Sequence, residues 1–273
     1  MLSGAVIRDG TRNKLKKEVA RMKKKPVLVI IQIGSRKESD TYIRQKIMFG
    51  ENIGVKVLHE KFPENISENK LLAKIAGLNK DKAIDGIIVQ LPFPKRLNKE
   101  KILNSIAPGK DVDGMTAQNI RSLWTGEEKS FLPATVRGII TLLSHYKIPL
   151  SGKRIVIVGR SILVGKPLAM AMLNRNATVT VCHSHTKNLA DETKRADILI
   201  VAAGKPNLIG KKHISRGQIV VDVGINSVKG KLAGDVDFEA VKDIVRAISP
   251  VPGGVGPLTV ASLFENVVRA TEH

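Results

Sequence analysis

Short runs of β-branched and aliphatic residues alternate with helical patterns along the whole chain, and this alternation restricts the fold more than any other feature. In the first half the runs at 26–33, 55–59 and 84–91 are separated by helical stretches near 38–51 and 67–79. In the second half they recur at 154–158, 178–182, 198–201, 219–223 and 247–249, with further helices expected over 138–146 and 258–270. Strand and helix in alternation call for right-handed crossovers and parallel sheets covered by helices on both faces. Aromatic residues are only 3%, so the core must be built from Ile, Val, Leu and Ala, which suits buried parallel strands. At 273 residues the expectation is an α/β protein of two domains.

The polar, turn-forming segment 125–130 sets the expected boundary. Domain one is then 1–130, and domain two is 131–256. The stretch 250–257 is too rich in Pro and Gly for regular structure, and the segment 257–273 after it is expected to return as a helix and complete the first domain. The single cysteine, Cys182, excludes an intramolecular disulfide and a Cys-based zinc site, which points to a reducing cytoplasm. No apolar run approaches the roughly 20 residues that span a bilayer, so no membrane partner is expected. The net charge of +20 by itself suggests nucleic acid. Against that, the lysines are dispersed and no aromatics are interleaved with them as a stacking platform. A solvated basic surface, or attraction of polyanionic small molecules, is the better reading.

Tyr42 and Lys46 are four residues apart on an expected helix and share a face, with Ser39 one turn earlier. In an apolar cleft such a lysine sheds its proton more easily, because desolvation disfavours the charged form; a surface lysine beside a core-edge tyrosine is the plainer alternative. Gln90 ends an apolar strand and is followed by Leu91-Pro92-Phe93-Pro94, which stops the sheet at the carboxyl edge where α/β sheets bind ligands. It could equally be a loop cap. Asp111 and Asp113 precede Gly114, so a turn could aim one carboxylate inward while the other caps a helix. No His or Glu cluster accompanies them, and no metal is expected. The segment 154–161, leading into Val164-Gly165-Lys166-Pro167, reads as strand, glycine turn and helix, which would hold a pyrophosphate on backbone N–H groups and the helix dipole. As a bare pattern it could also be an ordinary strand-to-helix turn. The following strand ends in His183-Ser184-His185-Thr186, without the acidic residue that binds the ribose of NAD; Ser184 with Arg160 suits the 2′-phosphate of NADP instead.

Taken in order, these segments resemble the bifunctional methylenetetrahydrofolate dehydrogenase/cyclohydrolase family over essentially the whole chain. The matching motifs are Ser39-x-x-Tyr42-x-x-x-Lys46, Val89-Gln90-Leu91-Pro92, Lys110-Asp111-Val112-Asp113-Gly114, Gly159-Arg160-Ser161-x-x-Val164-Gly165-x-Pro167, Val221-Asp222-Val223-Gly224-Ile225-Asn226 and Pro252-Gly253-Gly254-Val255-Gly256-Pro257-Leu258-Thr259. The resemblance implies an N-terminal folate-binding catalytic domain and a C-terminal Rossmann-type NADP-binding domain with a parallel sheet. It implies NADP-dependent oxidation of 5,10-methylenetetrahydrofolate and hydrolysis of the methenyl product to 10-formyltetrahydrofolate, in a homodimer. By the same resemblance Lys46 is catalytic, Gln90 orients it, Asp111 grips the pterin edge, Tyr42 stacks on the folate, and Ser39, Pro252, Gly253 and Gly254 border the substrate. Gly159, Arg160, Ser161, Ser184 and Ile225 line the NADP site. Where the family has Pro-Cys-Thr-Pro-x-Gly, this chain reads Pro133-Ala134-Thr135-Val136-Arg137-Gly138, so a rigid helix start is expected to be missing. The competing readings are another two-domain NADP-dependent dehydrogenase, such as the shikimate type, and a basic nucleic-acid-binding protein.

Overall fold

The computed structural model describes residues 1–35, 37–127, 131–228 and 230–272. The last three residues of the expected boundary segment, 128–130, lie outside them. The chain divides into two compact units, residues 9–134 with 260–273 and residues 1–8 with 135–259. In chain order the elements up to the second unit's sheet are α1 (Gly4–Arg21), β1 (Val27–Ile33), α2 (Lys37–Ile53), β2 (Lys56–Phe62), α3 (Glu68–Lys80), β3 (Gly86–Val89), α4 (Lys99–Asn104), α5 (Ala117–Thr125) and α6 (Ala134–His145). Then come β4 (Arg154–Val158), α7 (Gly165–Leu173), β5 (Thr178–Cys182), α8 (Leu189–Lys194), β6 (Ile198–Val201), β7 (Ile219–Asp222), β8 (Asn226–Val228), β9 (Lys231–Ala233), α9 (Phe238–Val241), β10 (Ala247–Ile248) and α10 (Val255–Ala270).

The first unit is built on a parallel sheet in the order β2-β1-β3. Successive residues of a strand face opposite sides, and β1 uses both. Leu28 and Ile30 pack with Ile43, Phe49, Ile53 and Phe264, whereas Val29, Ile31 and Ile33 pack with Leu71, Ile75 and Leu78. That two-sided burial is why the strand reads Val-Leu-Val-Ile-Ile-Gln-Ile, with each fully buried Leu or Ile contributing about 1.5–3 kcal/mol. Phe49 and Phe264 stack at 5.2 Å between centroids. Gly50 is required there, since a Cβ would stand 3.0 Å from the Phe264 ring and 2.4 Å from Val57. Ser67 starts α3 by accepting from the Lys70 N–H.

The second unit carries a parallel sheet in the order β10-β7-β6-β4-β5 and an antiparallel hairpin, β8–β9. The chain leaves β4 for β5 on one side, then returns to β6 on the other. In a doubly wound sheet this reversal opens a crevice beyond the carboxyl ends of the two strands that flank it, here β4 and β6.

Two expectations give way. The final helix begins at Val255, not near 258, because Gly256 and Pro257 fall in its first turn, where the N–H groups have no intrahelical partner and proline costs little. The helix after Pro133 also forms without its second proline: α6 begins at Ala134, with Val136, Ile139, Leu142 and Leu143 buried along one face. Apolar periodicity suffices to start it.

Candidate active site

Lys46 and Tyr42 lie one turn apart on α2, both partly buried, and Ser39 is buried at the start of the same helix. The Lys46 Nζ donates to Gln90 Oε1 at 2.8 Å. Gln90 stands just past β3, where its own N–H still pairs with the Ile31 carbonyl at 2.8 Å. Its Nε2 donates to the Leu91 carbonyl at 2.8 Å, which leaves Oε1 no choice but to face the lysine. A neutral amide fixes the amine in place without the charge stabilisation that a carboxylate would supply. Burial pushes the Lys46 pKa below the ordinary lysine value, and Asp113 opposes that only in part. Burial raises Asp113 in turn, with Lys46 pulling it down and Asp111 pushing it up. The Tyr42 phenol is raised by burial.

The two aspartates of the Lys110–Gly114 motif separate here. Asp111 is buried, and its Oδ2 accepts from the Thr116 N–H at 2.7 Å and from Asn119 Nδ2 at 2.8 Å, tying the turn to the start of α5. Its Oδ1 is also buried, with no partner among the described residues. The residue expected to grip the pterin therefore points into the protein, and Asp113 is the carboxylate whose charge acts on Lys46. The turn that follows them needs Gly114: its φ is +68°, and a Cβ there would meet the Phe131 carbonyl at 2.5 Å. A second polar group escaped the sequence reading altogether. Gln32, buried at the end of β1, donates to Asp40 Oδ1 at 2.7 Å and accepts from His59 Nε2 at 2.8 Å, which holds the first turn of α2 to the sheet. A glutamine interrupting an apolar strand was the signal for it.

In the second unit Gly159 follows β4 with φ +126°, and a Cβ on it would meet the Ala202 carbonyl at 2.1 Å. Gly165 opens α7 so close to this turn that a Cβ would stand 2.1 Å from the Gly159 carbonyl. Ser161 Oγ accepts from the Val164 N–H at 3.1 Å and closes the loop. Backbone without side chains, at the start of a nine-residue helix, fits a pyrophosphate. Arg160, Ser161 and Ser184 are exposed at the ends of the neighbouring strands β4 and β5, and Ile225 is exposed before β8. Pro252, Gly253 and Gly254 form the turn before α10, with the Gly253 carbonyl accepting from the Gly4 N–H at 2.9 Å. Among the described residues no His, Cys, Asp and Glu come together as a metal site.

Residues 2–113 match the family described as "Tetrahydrofolate dehydrogenase/cyclohydrolase, catalytic domain", and residues 133–273 match its "NAD(P)-binding domain". The chain belongs to the tetrahydrofolate dehydrogenase/cyclohydrolase family. It is a bifunctional enzyme of folate one-carbon metabolism, a methylenetetrahydrofolate dehydrogenase and methenyltetrahydrofolate cyclohydrolase. Among its relatives, the "Bifunctional protein FolD" of Halalkalibacterium halodurans is 43% identical over 276 residues, covering 100% of this chain and 99% of the relative. That of Aquifex aeolicus is 45% identical over 274 residues, with 99% and 94% covered. The crystal structure of the bifunctional FolD enzyme from Campylobacter jejuni has a TM-score of 0.98 at 44% identity, with 99% and 98% covered. The Trypanosoma brucei enzyme, solved with NADP cofactor and an inhibitor, has a TM-score of 0.94 at 34% identity, covering 99% and 96%. A shikimate dehydrogenase from Aquifex aeolicus shares the fold alone, at a TM-score of 0.52 and 14% identity.

Proposed function

We propose that Lys46 carries the proton transfers of the hydrolytic half-reaction, that Gln90 orients it, and that Asp113 takes the pterin donors in place of Asp111. The observation that supports this most directly is the 2.8 Å bond from Lys46 to Gln90, which holds a lysine whose pKa burial lowers and the nearby Asp113 only partly restores. When water adds to the methenyl carbon it must lose a proton, and the bridging nitrogen must gain one as its bond to that carbon opens. A lysine whose pKa burial has lowered gives up and takes back a proton more readily than an ordinary one, and so serves both transfers in turn. Tyr42 stacks on the folate ring and Ser39 borders it. The first unit is the folate half of the enzyme and the second unit the cofactor half; the division falls at 134 and 259 where 130 and 257 were expected, and residues 1–8, expected in the folate domain, group with the second unit.

NADP, rather than NAD, is the cofactor, and it supplies the hydride acceptor. Arg160 and Ser184 would face its 2′-phosphate, each charge-assisted bond contributing roughly 1.5–3 kcal/mol before desolvation. With methylenetetrahydrofolate as substrate, Arg160→Ala combined with Ser184→Ala should lower kcat/KM for NADP at least tenfold and barely change it for NAD. The absorbance of the methenyl product reads both. An unchanged ratio of the two would mean that the phosphate is held elsewhere.

The enzyme works as a homodimer paired through its cofactor units, in a reducing cytoplasm that keeps Cys182 a buried free thiol. An isolated two-stranded hairpin is marginal in water, and β8–β9 exposes Val228 and Leu232 beside the exposed Ile225. A second copy laid against the hairpin would cover all three. Light scattering should give twice the mass of the 29.7 kDa chain, and Leu232→Lys should shift it towards the monomer.

A further inference from the structure

Two buried carboxylates at the carboxyl edge of the five-stranded sheet take no part in the chemistry assigned above. Asp235 accepts at Oδ2 from the backbone N–H groups of Ala203 (2.6 Å) and Gly204 (2.8 Å), and at Oδ1 from the Lys205 N–H (2.7 Å) and Asn226 Nδ2 (2.9 Å). Asp222, at the end of β7, accepts at Oδ1 from the N–H groups of Gly224 (2.9 Å) and Asp235 (3.0 Å), and at Oδ2 from that of Val236 (2.9 Å). Glycines make room for both: a Cβ on Gly224 would stand 2.3 Å from the Asp235 carboxyl carbon, and one on Gly234 would stand 1.8 Å from Asp222 Oδ2. Among the described residues no ion pair reaches either carboxylate. Burial pushes Asp222 up to about 6 against the pull of its three amides, so it is still ionised at neutral pH.

Residues 203–205 follow β6 and form one lip of the crevice opened by the reversal of strand order. Gly159, after β4, forms the other, close enough that its missing Cβ would strike the Ala202 carbonyl. Gly204, with φ +64°, turns three successive N–H groups onto one point, the geometry of an anion-binding nest. The protein fills this nest with its own carboxylate. The side chains of 203–205 are exposed and have no apolar anchor, yet their backbone is tied to a wholly buried group. A buried charge is a weak source of stability compared with a well-packed apolar pair, so its value here lies in geometry.

We propose that Asp235, backed by Asp222, is a positioning residue for the cofactor: it fixes the backbone of 203–205 where that loop borders the dinucleotide. This rests on dinucleotide binding by the second unit. In Asp235→Asn the amide keeps one acceptor oxygen and turns an NH2 towards the N–H donors, so the loop should be released. NADP affinity by calorimetry should weaken at least tenfold, and KM for NADP should rise in step while kcat of the dehydrogenase stays within threefold. Methenyl hydrolysis, which consumes no cofactor, should keep its parent rate and so report an intact fold. Asn226→Ala, which removes only one donor from Oδ1, should weaken NADP binding about threefold and serves if the first variant does not fold. In the cofactor-free parent, the N–H groups of 203–205 should already exchange slowly with solvent. Parent-like NADP affinity in a folded Asp235→Asn or Asn226→Ala protein, or free exchange of those three N–H groups, would overturn the proposal alone. A parent that binds neither NADP nor NAD would overturn the cofactor reading and this one with it.

Discussion

Lys46→Met should abolish methenyl hydrolysis while melting no lower than the parent at pH 7. Methionine keeps the apolar stem and has no proton to exchange, and loss of a positioned acid–base group costs about 10²- to 10⁴-fold in rate. The stability half follows from the direction of the lysine's shift. Lys46 is held below its ordinary value chiefly by burial, so at neutral pH its ammonium carries a desolvation cost that methionine does not. The attraction of Asp113 is the smaller influence, and an Asp113 left alone can take up a proton, since burial already raises it. In the window between the lowered folded pKa and lysine's ordinary value of 10.5, the unfolded chain binds the proton and the folded chain does not. The parent therefore gains stability as pH rises through that window, and its difference from the variant closes. Thermal melts at pH 7 and pH 10, with a stopped-flow hydrolysis assay, check both halves. Hydrolysis at the parent rate would remove Lys46 from the mechanism.

The strands legible in the sequence are those that carry β-branched and aliphatic runs. The runs at 154–158 and 198–201 coincide with β4 and β6 residue for residue, because a central parallel strand has no solvent side and must be apolar almost throughout; the run at 178–182 coincides with the edge strand β5, whose Thr178 and Thr180 are exposed and alternate with half-buried Val179 and Val181. The β8–β9 hairpin leaves no such trace, since Asn226, Ser227 and Lys231 on its three-residue strands face solvent or a neighbouring loop. α1 is equally silent: over eighteen residues its Lys and Arg outnumber the few apolar positions, Ile7, Leu15 and Val19, that it buries. In the site, Tyr42 and Lys46 could be paired from their four-residue spacing, and Gln90 could be set at a sheet edge from the prolines after it. The partners of Asp235 could not be read in the same way. They come from segments about thirty residues earlier and nine residues back, and only the folded sheet brings them together.

The same limit governs Asp111 and Asp113, and the pair yields a crossed experiment. Spacing allows one carboxylate of such a turn to be tied into the protein and the other to face the lysine, but does not say which; the hydrogen bonds from Thr116 and Asn119 to Asp111 do. Asp113→Ala should weaken folate binding, because a pterin donor left without its acceptor costs about 1–3 kcal/mol, roughly five- to 150-fold in affinity. Its melting temperature should stay close to the parent's, since the residue is raised by burial and gives up little on removal. Asp111→Ala should do the reverse. It strands the buried Thr116 N–H, at an unmet cost of about 1–3 kcal/mol, and takes from Asn119 Nδ2 one of its two acceptors, the Pro108 carbonyl remaining; removal of the unpartnered Oδ1 offsets part of this. The melting temperature should fall by several degrees, while folate affinity measured well below it should remain within a few-fold of the parent. Calorimetric titration and a thermal melt on both variants decide between the two aspartates. Lost folate binding in an Asp111→Ala protein of parental stability would return the substrate to Asp111 and leave Asp113 only a counter-charge to Lys46.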